Sequence, residues 1–182
     1  MNPSRIVFWA GPVNVENAGK MVEKMLTLVK EDREAEIFLL VHSSGGDSAV
    51  AFAFFDMVKG MDINLTTVAM GYVKSAGVTI FLSGRKRLVA THSAIFLHEG
   101  SVSFNSGADF SRAEVAAVRR SGEISDDYYD AIILEQLRGD AEIKMTPQTL
   151  QEMKRSNTYL LPSEVLKYGL AHDIWRTSSA LA

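Results

Sequence analysis

Three short stretches carry residue types suited to acyl transfer: "HSSGGDS" at 42–48, "GYVKSAG" at 71–77 and "AIFLHEG" at 94–100. Ser75 stands at a corner between an apolar strand and an apolar helix, where a hydroxyl is exposed and the following N–H can meet developing negative charge. Serine is also a favoured helix N-cap, so a structural role stands beside the nucleophilic one. Gly45 and Gly46 let the chain turn sharply after a strand and leave N–H groups at a helix start, half of an oxyanion hole. The alternative there is an ordinary turn capped by Asp47 or Ser48. Without a P-loop lysine or the third glycine of a dinucleotide fingerprint, the turn is a weak phosphate site. His98 appears where an otherwise apolar strand leaves the core, the place from which a general base must be presented. His42, His92 and His172 fall at other strand ends and turns, with no i,i+4 pair and no Asp/Glu cluster, so no metal and no cofactor is expected.

These residues need elements to hold them, and the hydrophobic spacing supplies an alternating set. Arg5 to Trp9 reads as a strand, and Ala18, Met21, Val22, Met25, Leu28 and Val29 mark an amphipathic helix ending near "KEDRE". "EIFLLVH" reads as a strand buried on both faces, "AVAFAFFDMVKG" as a helix stopped by Gly60, "LTTVAM" as a strand and "SAGVTIFLSG" as a buried helix. "RLVA" and "AIFLHEG" are two more strands, followed by a Gly/Ser/Asn loop, "SVSFNSGAD". A long helical region runs from Ser111 almost to Gly139 with an interruption at Gly122, its apolar face concentrated in the second half. Thr146-Pro147 opens another helix, Pro162 and Gly169 bracket a short one, and "AHDIW" is a last strand. Strand and helix alternating throughout indicate an α/β architecture.

The 182 residues fit one domain, 1–182, with a short fraying tail at about 177–182. A net charge of -3, with basic and acidic residues intermixed, argues against nucleic acid and against anionic membranes as partners. The absence of cysteine excludes disulfides, thiolate metal sites and a Cys nucleophile. The start, "MNPSRIVFWAGP", has no export signal and no apolar run reaches a membrane span, so a cytoplasmic location is expected.

"VHSSGGDSAVAFAFFDMV", then "VAMGYVKSAGVTIFLSG", then "HSAIFLHEG", in that order, resembles the proteolytic subunit of the Clp protease. In that family a strand leads to S-P-G-G and a helix, then to G-x-x-x-S-x-G and a strand ending in His. The closing "LLPSEVLKYGLAHDIW" is similar to its P-x-E-A-x-x-Y-G-L-x-D segment, so the resemblance covers most of the chain. It implies Ser75 as nucleophile, His98 as general base, the N–H groups of Gly46 and Ala76 as oxyanion donors, and Gly45, Glu99 and Gly100 beside the substrate. The implied fold is a crotonase-like ββα spiral with a protruding handle helix. The implied assembly is a heptamer, or a tetradecamer of two stacked rings, that cleaves peptides or unfolded chains in a chamber.

The sequence departs from the family's pattern at several points. Counting back from "YGL", Asn157 stands where the family has its catalytic Asp; its amide oxygen can accept the His ring N–H, but it is neutral. Ser44 replaces the Pro of S-P-G-G, and Glu99-Gly100 replaces Gln-Pro. The chain begins almost at the first strand, without the segment that meets the ATPase in the family, so no dependence on a Clp ATPase is expected. Three rivals remain. A Ser-Lys peptidase would need a lysine downstream of Ser75, and none occurs from Arg87 through Ile143. A crotonase-type acyl-CoA enzyme would need carboxylates, for which Asp47 and Glu99 are present. A ring scaffold with a decayed triad would explain Asn157.

Overall fold

The computed structural model describes residues 2–101 and 109–176. After a 3-10 turn at Pro3–Arg5 the order is β1 (Ile6–Ala10), α1 (Val15–Glu31), β2 (Ile37–Ser43), α2 (Ser48–Gly60), β3 (Leu65–Lys74), α3 (Ala76–Leu82), β4 (Lys86–Ala90) and β5 (Ala94–Leu97). There follow α4 (Arg112–Glu135), α5 (Pro147–Arg155), β6 (Thr158–Leu160), α6 (Pro162–Lys167) and β7 (Asp173–Trp175). The α/β alternation read from the sequence is the one observed. The short antiparallel strand β6 was not expected, because three residues are too few to show a period of two. Most of the expected "SVSFNSGAD" loop and the tail from 177 lie outside the described residues.

Strands β1, β2, β3, β4 and β7 form a parallel sheet in that order. β3 serves two neighbours in turn: Thr66 to Ala69 pair with β4, and Tyr72 to Lys74 pair with β5. A register shift separates the two halves, with Val41 opposite Ala69 but Ser43 opposite Val73. His42 fills the irregularity, its Nδ1 accepting the Tyr72 N–H at 3.3 Å, so this histidine is spent on the sheet.

Both faces of β2 were expected to be buried, and only one is. Ile37, Leu39 and Val41 have almost no exposure, whereas Phe38 and Leu40 are half-buried and His42 is exposed; on β1, Phe8 is 49% exposed. The apolar run in β2 reflects strand propensity on the outer face as well as burial on the inner one. On the inner face Trp9 meets Phe54 edge to face, with ring centroids 5.3 Å apart, and every residue of α3 is buried. Arg5 is buried too, and its guanidinium donates to the carbonyls of Leu28, Asp32, Ala35 and Glu36, tying the end of α1 to the start of β2.

Helix α4 begins with a reciprocal Ser111–Glu114 capping box and continues to Glu135 without the expected break at Gly122. A single glycine costs an interior turn about 1 kcal/mol against alanine, too little to stop a 24-residue helix. Its first turns are exposed, while Tyr129 and Ile133 in its second half reach the core. There α5 joins it through Lys154, 2% exposed at the side chain, whose Nζ lies 2.6 Å from Asp130 Oδ1 and 3.8 Å from Asp126 Oδ1.

Candidate active site

Ser75 follows β3 directly and precedes α3 with φ 50 and ψ -128, a conformation that costs a non-glycine residue on the order of 1–3 kcal/mol. The Ser75 N–H donates to the Phe96 carbonyl at 3.2 Å, and the Val78 N–H donates to the Ser75 carbonyl at 2.7 Å, so the corner is anchored on both sides. The side chain makes no capping hydrogen bond to α3. The capping role that competed with a nucleophilic one is therefore not what this serine does. At the other turn the opposite holds, because Asp47 accepts from the N–H groups of Ala49 and Val50 and caps α2.

The glycine turn lies directly against the Ser75 corner. Gly45 has φ +89, and Gly46 has φ +144 with so little room that an added β-carbon would fall 2.3 Å from the Val13 carbonyl oxygen. Buried Ser43 stiffens the turn by donating to the Gly11 carbonyl at 2.7 Å and accepting the Gly45 N–H at 3.1 Å. Among the described residues no hydrogen bond uses the N–H of Gly46 or of Ala76. Unpaired backbone donors beside a serine hydroxyl are what an oxyanion site requires.

Ser44, Gly46, Ser75, His98 and Gly100 line one side of a cleft of about 460 Å³, and Val118, Ser121, Gly122, Ser125, Asp126 and Tyr129 of α4 line the other. His98 leaves β5 half-buried, its ring stacked on Phe96 with centroids 5.3 Å apart and planes 17° apart. No hydrogen bond joins it to Ser75 or to Asn157 among the described residues. Catalytic hydrogen bonds are often long in ligand-free sites and tighten when substrate binds.

Asn157 stands outside the cleft lining and is exposed. It has φ 51, a left-handed conformation that asparagine tolerates, and its N–H donates to the Lys154 carbonyl at 3.1 Å to close α5. The antiparallel register of β5 and β6 pairs Leu97 with Thr158, so the next pair outward sets His98 opposite Asn157. Glu99 is also outside the lining and forms an exposed ion pair with Arg155 at 3.5 Å.

Lys74, the lysine next to Ser75, is engaged elsewhere. Its Nζ donates to the Tyr159 hydroxyl at 3.0 Å and lies 5.0 to 5.5 Å from the ring centroids of Tyr72, Phe96 and Tyr159. Among the described residues no group of three or more His, Asp or Glu side chains could hold a metal, and no helix is long and apolar enough to cross a membrane.

The wall contributed by α4 is what sequence reasoning missed. Val118, Ser121, Ser125 and Tyr129 recur at intervals of three and four, and Gly122 and Asp126 flank that row. Small polar residues at helical spacing were the available signal.

The sequence pattern described as Clp protease matches residues 1–178. The chain belongs to the Clp protease family. With the family comes its class, the serine endopeptidases, and the parallel sheet with its long second-half helix is the ClpP-like fold expected. One relative is the ATP-dependent Clp protease proteolytic subunit 2 of Cutibacterium acnes, 29% identical over 180 residues, covering 98% of this chain and 80% of that protein. Another, the ATP-dependent Clp protease proteolytic subunit of Deinococcus radiodurans, is 26% identical over 175 residues, covering 93% and 79%.

Proposed function

We propose that this Clp-family chain cleaves peptides or unfolded polypeptides by attack of Ser75 on the scissile carbonyl. His98 turns off Phe96, takes the Ser75 proton and returns it to the leaving amine, and water then clears the acyl-enzyme. The N–H groups of Gly46 and Ala76 hold the oxyanion, and the Asn157 amide oxygen orients the imidazole. The observation that carries this reading is the strained Ser75, capping nothing, in one cleft with His98.

The assembly in this reading is a ring of copies of the chain, single or stacked in pairs, with the exposed first half of α4 as the handle between rings. Its support is family membership. Short peptides are cleaved without a Clp ATPase, since serine acyl transfer consumes no nucleotide; "ATP-dependent" describes the relatives by name. A decayed scaffold is the second reading, favoured by the neutral Asn157. The two carboxylates named for the acyl-CoA reading are engaged elsewhere, Asp47 capping α2 and Glu99 pairing with Arg155.

Intact-mass detection of fluorophosphonate labelling, with peptide mapping, separates the two. One adduct on Ser75, absent in Ser75→Ala and His98→Ala, is expected; a folded assembly with no adduct is the scaffold. Light scattering tests the ring, which a monomer at micromolar concentration would refute. Peptide cleavage with and without an added Clp ATPase tests independence, and cleavage confined to the ATPase-supplemented reaction would refute it.

A further inference from the structure

The walls of the cleft that holds Ser75 offer an incoming side chain few apolar partners and two polar groups in need of one. Its α4 wall is Ser121, Gly122, Ser125, Asp126 and Tyr129, with Val118 as the aliphatic exception. Tyr129 is only 8% exposed, and its hydroxyl has no hydrogen-bond partner among the described residues. A buried phenol left unpaired in this way costs free energy until something in the cleft pairs with it. Asp126 is close by and only partly satisfied: Lys154 stands 3.8 Å from its Oδ1 but 2.6 Å from Asp130, which also accepts from Gln151. One lysine set against two carboxylates leaves a net negative charge, and Asp126, 45% exposed at its side chain, is the carboxylate that lines the cleft.

We propose that Asp126 and Tyr129 select a cationic side chain, lysine or arginine, in the residue that becomes the acyl half of the acyl-enzyme. That residue is covalently tethered to Ser75 during the reaction, so its side chain must find its place in this cleft. A cation carries several N–H donors, enough for the Asp126 carboxylate and for the orphan Tyr129 oxygen once side-chain motion opens that buried hydroxyl to the cleft, whereas an aliphatic side chain offers neither group a new partner and buries little apolar area. The inference rests on the peptidase reading and supplies the substrate class.

The test compares fluorogenic peptide amides identical except for lysine, arginine, norleucine or leucine at the residue before the reporter amine. Norleucine keeps the lysine stem and removes the ammonium. A kcat/KM for lysine at least about tenfold above norleucine is expected, the strength of a hydrogen bond to a charged group. In Asp126→Asn that ratio should collapse toward one, and in Tyr129→Phe, which removes a hydroxyl with no partner and so spares the fold, it should fall. Fluorophosphonate labelling of Ser75 in each variant reports that the catalytic site survives. Equal or better turnover of norleucine by the unaltered chain, or a ratio indifferent to Asp126→Asn, overturns the selection while leaving the peptidase intact. A chain that forms no Ser75 adduct at all overturns the peptidase reading, and the selection falls with it.

Discussion

A β-carbon placed on Gly45 would fall 2.7 Å from the β-carbon of Ser75, closer than side chains approach without displacement. The turn that carries Gly46 and the corner that carries the serine are held in register by the absence of that atom. Gly45→Ala should therefore displace Ser75 as well as strain a backbone at φ +89. A loss of about 100-fold or more in fluorophosphonate labelling rate is expected from a misplacement of roughly 1 Å. A labelling rate that stays within twofold would show that the contact does not set the serine.

The corner itself holds strain that glycine would relieve. Ser75→Gly should be inactive yet more stable than Ser75→Ala by about 1 kcal/mol, since alanine at φ 50 keeps the strain. Chemical denaturation of the two variants measures the difference, and equal midpoints would mean the conformation is not strained.

Asn157 is the departure with a direct kinetic consequence. Replacing the corresponding Asp by Asn in a chymotrypsin-like site costs about 10⁴ in kcat, so Asn157→Asp should raise peptide turnover by at least about tenfold. The left-handed backbone at φ 51 accepts aspartate as well as asparagine. Unchanged turnover would show that the residue opposite His98 does not orient it.

The sequence disclosed the site in pieces that differed in kind. Ser75, His98 and the paired glycines were legible because each sits at an element boundary, where a polar or glycine residue interrupts an apolar pattern. The uncovered face of β2 was not, since Phe38 and Leu40 look the same in a run whether a helix covers them or not. Gly122 was misread as a break because local propensity ignores the packing that carries a helix through one poor residue. Asp126 and Tyr129 could not be assigned to the cleft at all, because they meet Ser75 through tertiary folding about 50 residues further along the chain.

Gly122 also offers a stability test. An added β-carbon there would meet nothing within 4 Å, so Gly122→Ala should stabilise the protein by roughly 0.5–1 kcal/mol through helix propensity. Denaturant midpoints check it, and a destabilised variant would mean the helix is not continuous there.

Acid sensitivity should trace in part to His172. Its Nδ1 accepts the Arg87 N–H at 3.0 Å, which needs the neutral ring, and burial, with the Arg87 charge next, lowers its pKa below 6.5. The unfolded chain therefore takes up the proton first as pH falls, and stability declines below about 6.5 until the folded form is also protonated. His172→Gln should flatten that decline in denaturation curves measured between about pH 7 and 5. Parallel slopes for the two proteins would remove His172 as the cause.

The fork in β3 has a consequence for the order of events during synthesis. Ser75 owes its backbone anchor to Phe96, and the last part of β3, which meets β2 through Val73 and Ser43, gains its second neighbour only when β5 has been made and has passed beyond β4. A nascent chain released before that point has the serine and both glycines but lacks the Phe96 carbonyl that anchors the corner. The nucleophile is thus assembled by the segment that brings His98, and a hydroxyl set for attack does not precede its base.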